Sequence, residues 1–235
     1  DTGVNEIASE SVNFTKDNDG DENGHGTKIA QTILDNSNGS ASIVSVKVLG
    51  NDGQGDMSTI IKGLQYCIDS KVNVINMSFS AIDNGYMFAF KQMVRNCIDA
   101  GITVVCAAGN YNASALIYAP SDIEGVISVG TMNDDGTKAE DSNYGATYYE
   151  VADSTSEASA IVAGKYAFDY DFSQEVTNDT VVLDATAINA SPTVPGKVKT
   201  EYDEETGKYH VTQTTYYNVS QEMYVHATSI NATHW

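Results

Sequence analysis

The sequence predicts an α/β fold, a parallel sheet with helices on both faces, and two observations lead there. Short apolar runs rich in β-branched residues alternate with segments of helical periodicity, the order that builds strand–helix–strand units. The apolar runs are near-continuous rather than alternating, which is the pattern of strands covered on both sides.

Taken in order, residues 43–49 (IVSVKVL) read as the first strand. Residues 56–70 place Met57, Ile60, Ile61, Leu64 and Cys67 at helical spacing. Residues 72–80 (VNVINMSFS) are strand-like again. Residues 86–100 set Phe90, Met93, Val94, Cys97 and Ile98 on one helical face, and Gly101 ends that helix. Residues 102–108 and 126–132 are further strands, and 152–168 form a helix rich in small residues. Ligands of such sheets bind at the carboxyl ends of the strands, so the loops after residues 49, 80 and 108 should surround a site. Residues 1–190 are expected to form one domain. Near residue 190 the character changes: SPTVPG reads as a linker, and 191–235 alternate polar and apolar residues, predicting a hairpin that turns at Glu205–Lys208 and one more strand.

Composition narrows the partners. The 235 residues carry 32 Asp and Glu against 12 Lys and Arg, a net charge of -20. That sign argues against nucleic acid or an anionic membrane. No apolar run is long enough to cross a bilayer, and the opening DTGVNEIASE lacks the build of a signal peptide. The acidity suits a solvated surface; the loop Asp17–Glu22 is a candidate for calcium, although it lacks the full EF-hand spacing. No cofactor is required by the motifs below, and no metal ligand set is assigned. Cys67, Cys97 and Cys106 lie in apolar segments without metal-type spacing and read as buried small hydrophobes.

Three motifs occur in order: Asp1-Thr2-Gly3, Gly24-His25-Gly26-Thr27, and Ser154-Thr155-Ser156-Glu157-Ala158-Ser159. A serine nucleophile needs a base, and the base needs a carboxylate to fix its tautomer. Asp, His, Ser is one known chain order for such a triad. Each motif alone is weak; Asp-Thr-Gly also marks aspartic proteases, whose chemistry needs a second such carboxylate that the sequence does not offer.

With its intervening segments, the chain resembles the subtilisin-like serine proteases, the subtilases. The likeness rests on DTG at 1–3, GHGTKIAQTI at 24–33, STSEASA at 154–160, VKVLGNDGQGDMSTIIKGLQY at 46–66, VNVINMSFS at 72–80 and VVCAAGN at 104–110. It implies a three-layer subtilisin-like fold and a serine endopeptidase acting on protein or peptide substrate. By the resemblance Ser156 is nucleophile, His25 base and then acid, Asp1 its orienting carboxylate, and Asn110 an oxyanion donor. Extended substrate would lie between Gly53–Gly55 and Ser78–Ser80, that is, beside Gly53, Gly55, Ser78, Phe79 and Ser80. Met57 and Phe79 match an apolar subsite, or else pack in the core. Ala107, Ala108 and Gly109 would line an open, uncharged specificity pocket. The family implies a secreted or cell-surface protein.

The chain also departs from the family. Relatives carry a buried strand before the catalytic Asp, so a separate or removed N-terminal segment or propeptide is expected as a partner. Ser154, Glu157 and Ala160 stand where the family has Gly, Met and Pro. Ser154-x-x-Glu157 reads first as a capping box at a helix start, ahead of a catalytic role for a carboxylate beside the nucleophile. The stretches between His25 and Lys47 and between Asn110 and Ser156 are short. These departures keep one alternative open: a catalytically impaired scaffold of the same fold, used for binding or assembly.

Overall fold

The computed structural model describes residues 1–168 and the backbone of three further strands, 198–203, 208–217 and 223–227. The chain divides into two compact units, Asp1–Thr131 with Glu140–Tyr170, and Met132–Ala139 with Asp171–Trp235.

In the first unit β1 (Glu10–Asn13) pairs in parallel with β2 (Val44–Lys47). A second sheet has the order β3 (Val74–Met77), β5 (Thr103–Ala107), β7 (Ile127–Met132), β8 (Tyr148–Val151), with β3–β5 and β5–β7 parallel. A short antiparallel pair, β4 (Ala81–Ile82) with β6 (Tyr118–Ala119), forms a separate two-stranded sheet. The helices are α1 (His25–Asn36), α2 (Met57–Asp69), α3 (Phe88–Asp99) and α4 (Thr155–Ala167).

The expected strand–helix alternation is therefore observed. Val104 and Cys106 of β5 join a core cluster with Phe90, Val94 and Cys97 of α3 and Ile60, Leu64 and Cys67 of α2. Val105 between them is equally buried but belongs to no such contact, because successive strand residues face opposite sides. On its side α4 packs across β3 and β5. Each large side chain taken fully from water contributes about 1.5–3 kcal/mol. Helix α3 starts two residues later than its periodicity suggests, and Tyr86 is 91% exposed.

Strands β1, β4, β6 and β8 carry no strong sequence signal. β1 is Glu-Ser-Val-Asn, a half-exposed edge, and β4 and β6 are two residues long.

In the second unit β9 (Val198–Asp203), β10 (Lys208–Tyr217) and β11 (Met223–Ala227) form an antiparallel sheet in the order β11–β10–β9, with Asp203 opposite Lys208. The expected linker near residue 190 lies outside the described residues.

Candidate active site

Helix α1 brings His25 to the site as its first residue. Four N–H groups at the start of a helix have no intrahelical partner, and here neighbouring side chains take three of them. Asn23 Oδ1 accepts from His25 N at 3.3 Å, Thr2 Oγ1 from Gly26 N at 2.9 Å, and Asp21 Oδ2 from Thr27 N at 2.8 Å. The glycines around His25 follow from this packing. Gly24 has φ 88°, and a Cβ on Gly26 would lie 2.1 Å from the carbonyl oxygen of Gly3.

Asp1 is held as a rung of sheet. Its nitrogen donates to Val46 O at 3.2 Å, and its carbonyl accepts from Val48 N at 3.0 Å and Leu49 N at 3.1 Å. Its carboxylate oxygen Oδ1 accepts from Thr2 N at 2.7 Å and meets His25 Nδ1 at 2.8 Å. Burial lowers the pKa of His25 below its ordinary value of 6.5; Lys28 lowers it further, and Asp21 opposes them.

Ser156 is the second residue of α4. Ser154 caps that helix, accepting from Glu157 N at 3.3 Å, so the first half of the expected capping box is present. The Ser156 hydroxyl donates to the Ser78 carbonyl at 3.1 Å. Asn110 Oδ1 accepts from Thr155 N at 2.9 Å, which leaves the amide NH2 of Asn110 on the side away from α4's first N–H. The starts of α1 and α4 are themselves linked, Lys28 Nζ to Glu157 Oε2, at 3.3 Å. Asp1 and His25 are thus in direct contact, and Asn110 binds the start of the helix that carries Ser156, while the Ser156 hydroxyl is bonded to Ser78 rather than to His25.

The other residues singled out from sequence have varied surroundings. The Ser78 hydroxyl is turned into α4, bonding Ser156 O at 2.9 Å and Ser159 Oγ at 3.0 Å. Ala107 and Ala108 are buried at the end of β5, and Ala108 N donates to Val129 O. Gly109 has φ 103°; a Cβ there would lie 2.5 Å from Asn143 Nδ2 and 3.3 Å from Ser80 Oγ. Gly53, with φ 76°, sits in the turn Gly50–Gln54, whereas the close approach at Gly55 is to the chain's own Val48 carbonyl, 2.5 Å from a would-be Cβ. Met57 and Phe79 both pack against the core cluster.

Two residues escaped the sequence reading. Asp21, read there as part of an acidic loop, is buried and accepts from Thr2 Oγ1 and Gly24 N through Oδ1, and from Thr27 N and Oγ1 through Oδ2. Asn143 is fully buried; its amide donates to Ala108 O at 2.7 Å, and its oxygen accepts from Tyr111 N and Ala113 N at 3.0 Å each. It carries the loop that holds Asn110. Among the described residues no group of three or more His, Cys, Asp or Glu is placed to hold a metal ion, and no helix is long and apolar enough to cross a membrane.

The parallel sheet with flanking helices is a subtilisin-like fold. The subtilase family model matches residues 2–216, and the chain belongs to that family. It is 36% identical over 152 residues to subtilisin-like protease 2 of Pseudogymnoascus destructans, covering 63% of this chain and 38% of that protein. It is 41% identical over 130 residues to an extracellular serine proteinase of a Thermus species, covering 53% of this chain and 31% of that one. Among solved structures, a cold-adapted subtilisin-like serine proteinase matches with a TM-score of 0.65 at 27% identity, over 77% of this chain and 75% of that one. The chain thus spans between 31% and 38% of the length of these two curated relatives.

Proposed function

We propose that this chain is the catalytic part of a serine endopeptidase, and the observation that carries the reading is the 2.8 Å contact between His25 Nδ1 and Asp1 Oδ1. A carboxylate on Nδ1 selects the tautomer whose Nε2 is free to take a proton, and it stabilises the imidazolium that follows. Ser156 Oγ leaves the Ser78 carbonyl, gives its proton to Nε2 and attacks the scissile carbonyl. The tetrahedral oxyanion is received by the Asn110 amide and the backbone N–H of Ser156, at the start of α4, where free N–H groups and the helix dipole favour negative charge. His25 then protonates the leaving amine, and water releases the acyl group by the same route. Substrate lies extended beside Gly53–Gly55 and Ser78–Ser80, with the uncharged wall Ala107–Gly109 receiving the residue before the cut.

A separate or removed N-terminal segment is the partner we propose. A cavity of about 710 Å³ runs from Asp1 between β2 and β3, lined by Val44, Val46, Val74, Asn76, Ala163 and Tyr166 among others. β2 pairs only with β1 and β3 only with β5 among the described residues. Asp1 already bonds Val46 and Val48 as a parallel rung, so an extended apolar segment in this channel would continue the ladder. Similarity to an extracellular proteinase supports a secreted protein.

The test is labelling of the natural protein by a fluorophosphonate probe, beside Ser156→Ala. Labelling of the wild type alone is expected. A folded wild type that takes no label would overturn the reading.

A further inference from the structure

Helices α1 and α4 advance side by side, and two fixtures hold them. The far fixture is backbone contact: a Cβ on Gly164 would lie 2.6 Å from Ile33 O and 2.8 Å from Asn36 Cβ, so the helices touch there with nothing between them. The near fixture is the ion pair of Lys28 with Glu157 at 3.3 Å. Lys28 is three residues after His25, and Glu157 directly follows Ser156. The Glu157 N–H is engaged by Ser154 Oγ while its carboxylate crosses to α1.

We propose that the Lys28–Glu157 pair is a positioning clamp that closes the catalytic ends of α1 and α4 and so sets the reach from Ser156 Oγ to His25. The inference rests on the proteolytic reading above. The far contact fixes one pair of points, about two helical turns from the catalytic residues. A small rotation of one helix about that contact would open the gap between hydroxyl and imidazole. A second tie on the catalytic side removes that freedom. Lys28 is largely exposed and Glu157 half-buried, so the pair adds little to global stability. Its effect should show in the geometry of proton transfer, where a misplacement of about 1 Å can cost up to about 100-fold.

The pair also bears on the base. The charged side chains facing His25 are Asp1, Asp21 and Lys28. Lys28 pulls the imidazole toward its neutral form, and Glu157 balances that cation. Removing the carboxylate alone therefore leaves Lys28 uncompensated and moves the acid limb of kcat/KM to lower pH, whereas removing Lys28 moves it to higher pH.

The experiment is a double-mutant cycle on the active protein: Glu157→Gln, Lys28→Met and both together, with kcat, KM and pH profiles measured against a peptide substrate. Each single variant is expected to lose about tenfold in kcat with KM little changed. The double variant should lose no more than either single, because the second change removes a partner already gone. The two single variants should shift the acid limb in opposite directions. Losses that multiply in the double variant, or single variants within twofold of wild type with an unmoved acid limb, would overturn the clamp. Fluorophosphonate labelling of the wild type keeps the cases apart: its absence sinks the proteolytic reading itself, and its presence with unchanged variants sinks the clamp alone.

Discussion

Thr27 gives both its backbone N–H and its hydroxyl to one carboxylate oxygen of Asp21, at 2.8 and 2.6 Å, while Thr2 and Gly24 take the other oxygen. Asp21 therefore anchors the start of the helix that presents His25 and joins it to the segment that presents Asp1. Asp21→Ala should cost about 2–4 kcal/mol in urea denaturation, since four donors lose a charged acceptor. Burial raises the Asp21 pKa, but the bonds from Thr27, Gly24 and Thr2 outweigh it and hold the carboxyl below its ordinary 3.8. Its contribution is thus full above pH 3.8 and is lost as pH falls through the lowered native value. A variant as stable as wild type at pH 7 would contradict this role.

The imidazole of His25 sits below its ordinary 6.5, burial being the largest cause. The neutral, base-competent form then persists to lower pH than a free imidazole would allow. The acid limb of kcat/KM should fall below pH 6.5, read from the pH dependence of a chromogenic peptide substrate. The sign for stability is the same: the native state resists protonation, so the contribution of His25 is present above pH 6.5 and declines below it. An acid limb above 6.5 would refute the assignment.

Much of this architecture was legible in the sequence because its physics is local. The strand Thr103–Ala107 and the helix Phe88–Asp99 are written in apolar runs and in a 3.6-residue period that survive without knowledge of neighbours. His25 and Ser156 could be singled out because short motifs carry them. Asp21 and Asn143 could not. One sits in an acidic run that looks like solvated loop, the other in a loop with no periodicity, and their partners lie up to 35 residues away. The edge strand Glu10–Asn13 was equally hidden, since its side chains are half-exposed and only its backbone pairing with Val44–Lys47 makes it a strand.

The three cysteines are free and buried. Burial pushes the Cys106 thiol up to about 12, Cys67 to about 12 and Cys97 to about 11. Thiolate is the reactive form, so at pH 8 a disulfide-exchange reagent should titrate essentially none of Cys97 and Cys106 in the native protein and all three thiols in urea. Rapid native reaction of Cys106 would show that the strand end beside Ala107 opens far more readily than its packing implies.

Asn143 offers the sharpest test of how the oxyanion loop is held. Its amide serves Ala108 O, and its oxygen serves Tyr111 N and Ala113 N, so one buried side chain adds three bonds to a loop whose backbone pairs through Ala108 N, Gly109 O, Asn112 N and Ala113 O. Asn110 lies between these anchors. Asn143→Ala strands three polar groups, with an expected cost of about 2–4 kcal/mol. Activity should fall more steeply than stability predicts, because the Asn110 amide must stay within hydrogen-bond reach of a charge that exists only in the transition state. Under conditions where the variant is fully folded by circular dichroism, kcat should drop at least about tenfold with KM little altered. Asn143→Asp keeps the acceptor for Tyr111 and Ala113 but sets a carboxylate against the Ala108 carbonyl, so it should recover part of the loop order and little of the rate. Full activity in a folded Asn143→Ala protein would mean that the loop finds its geometry without this side chain.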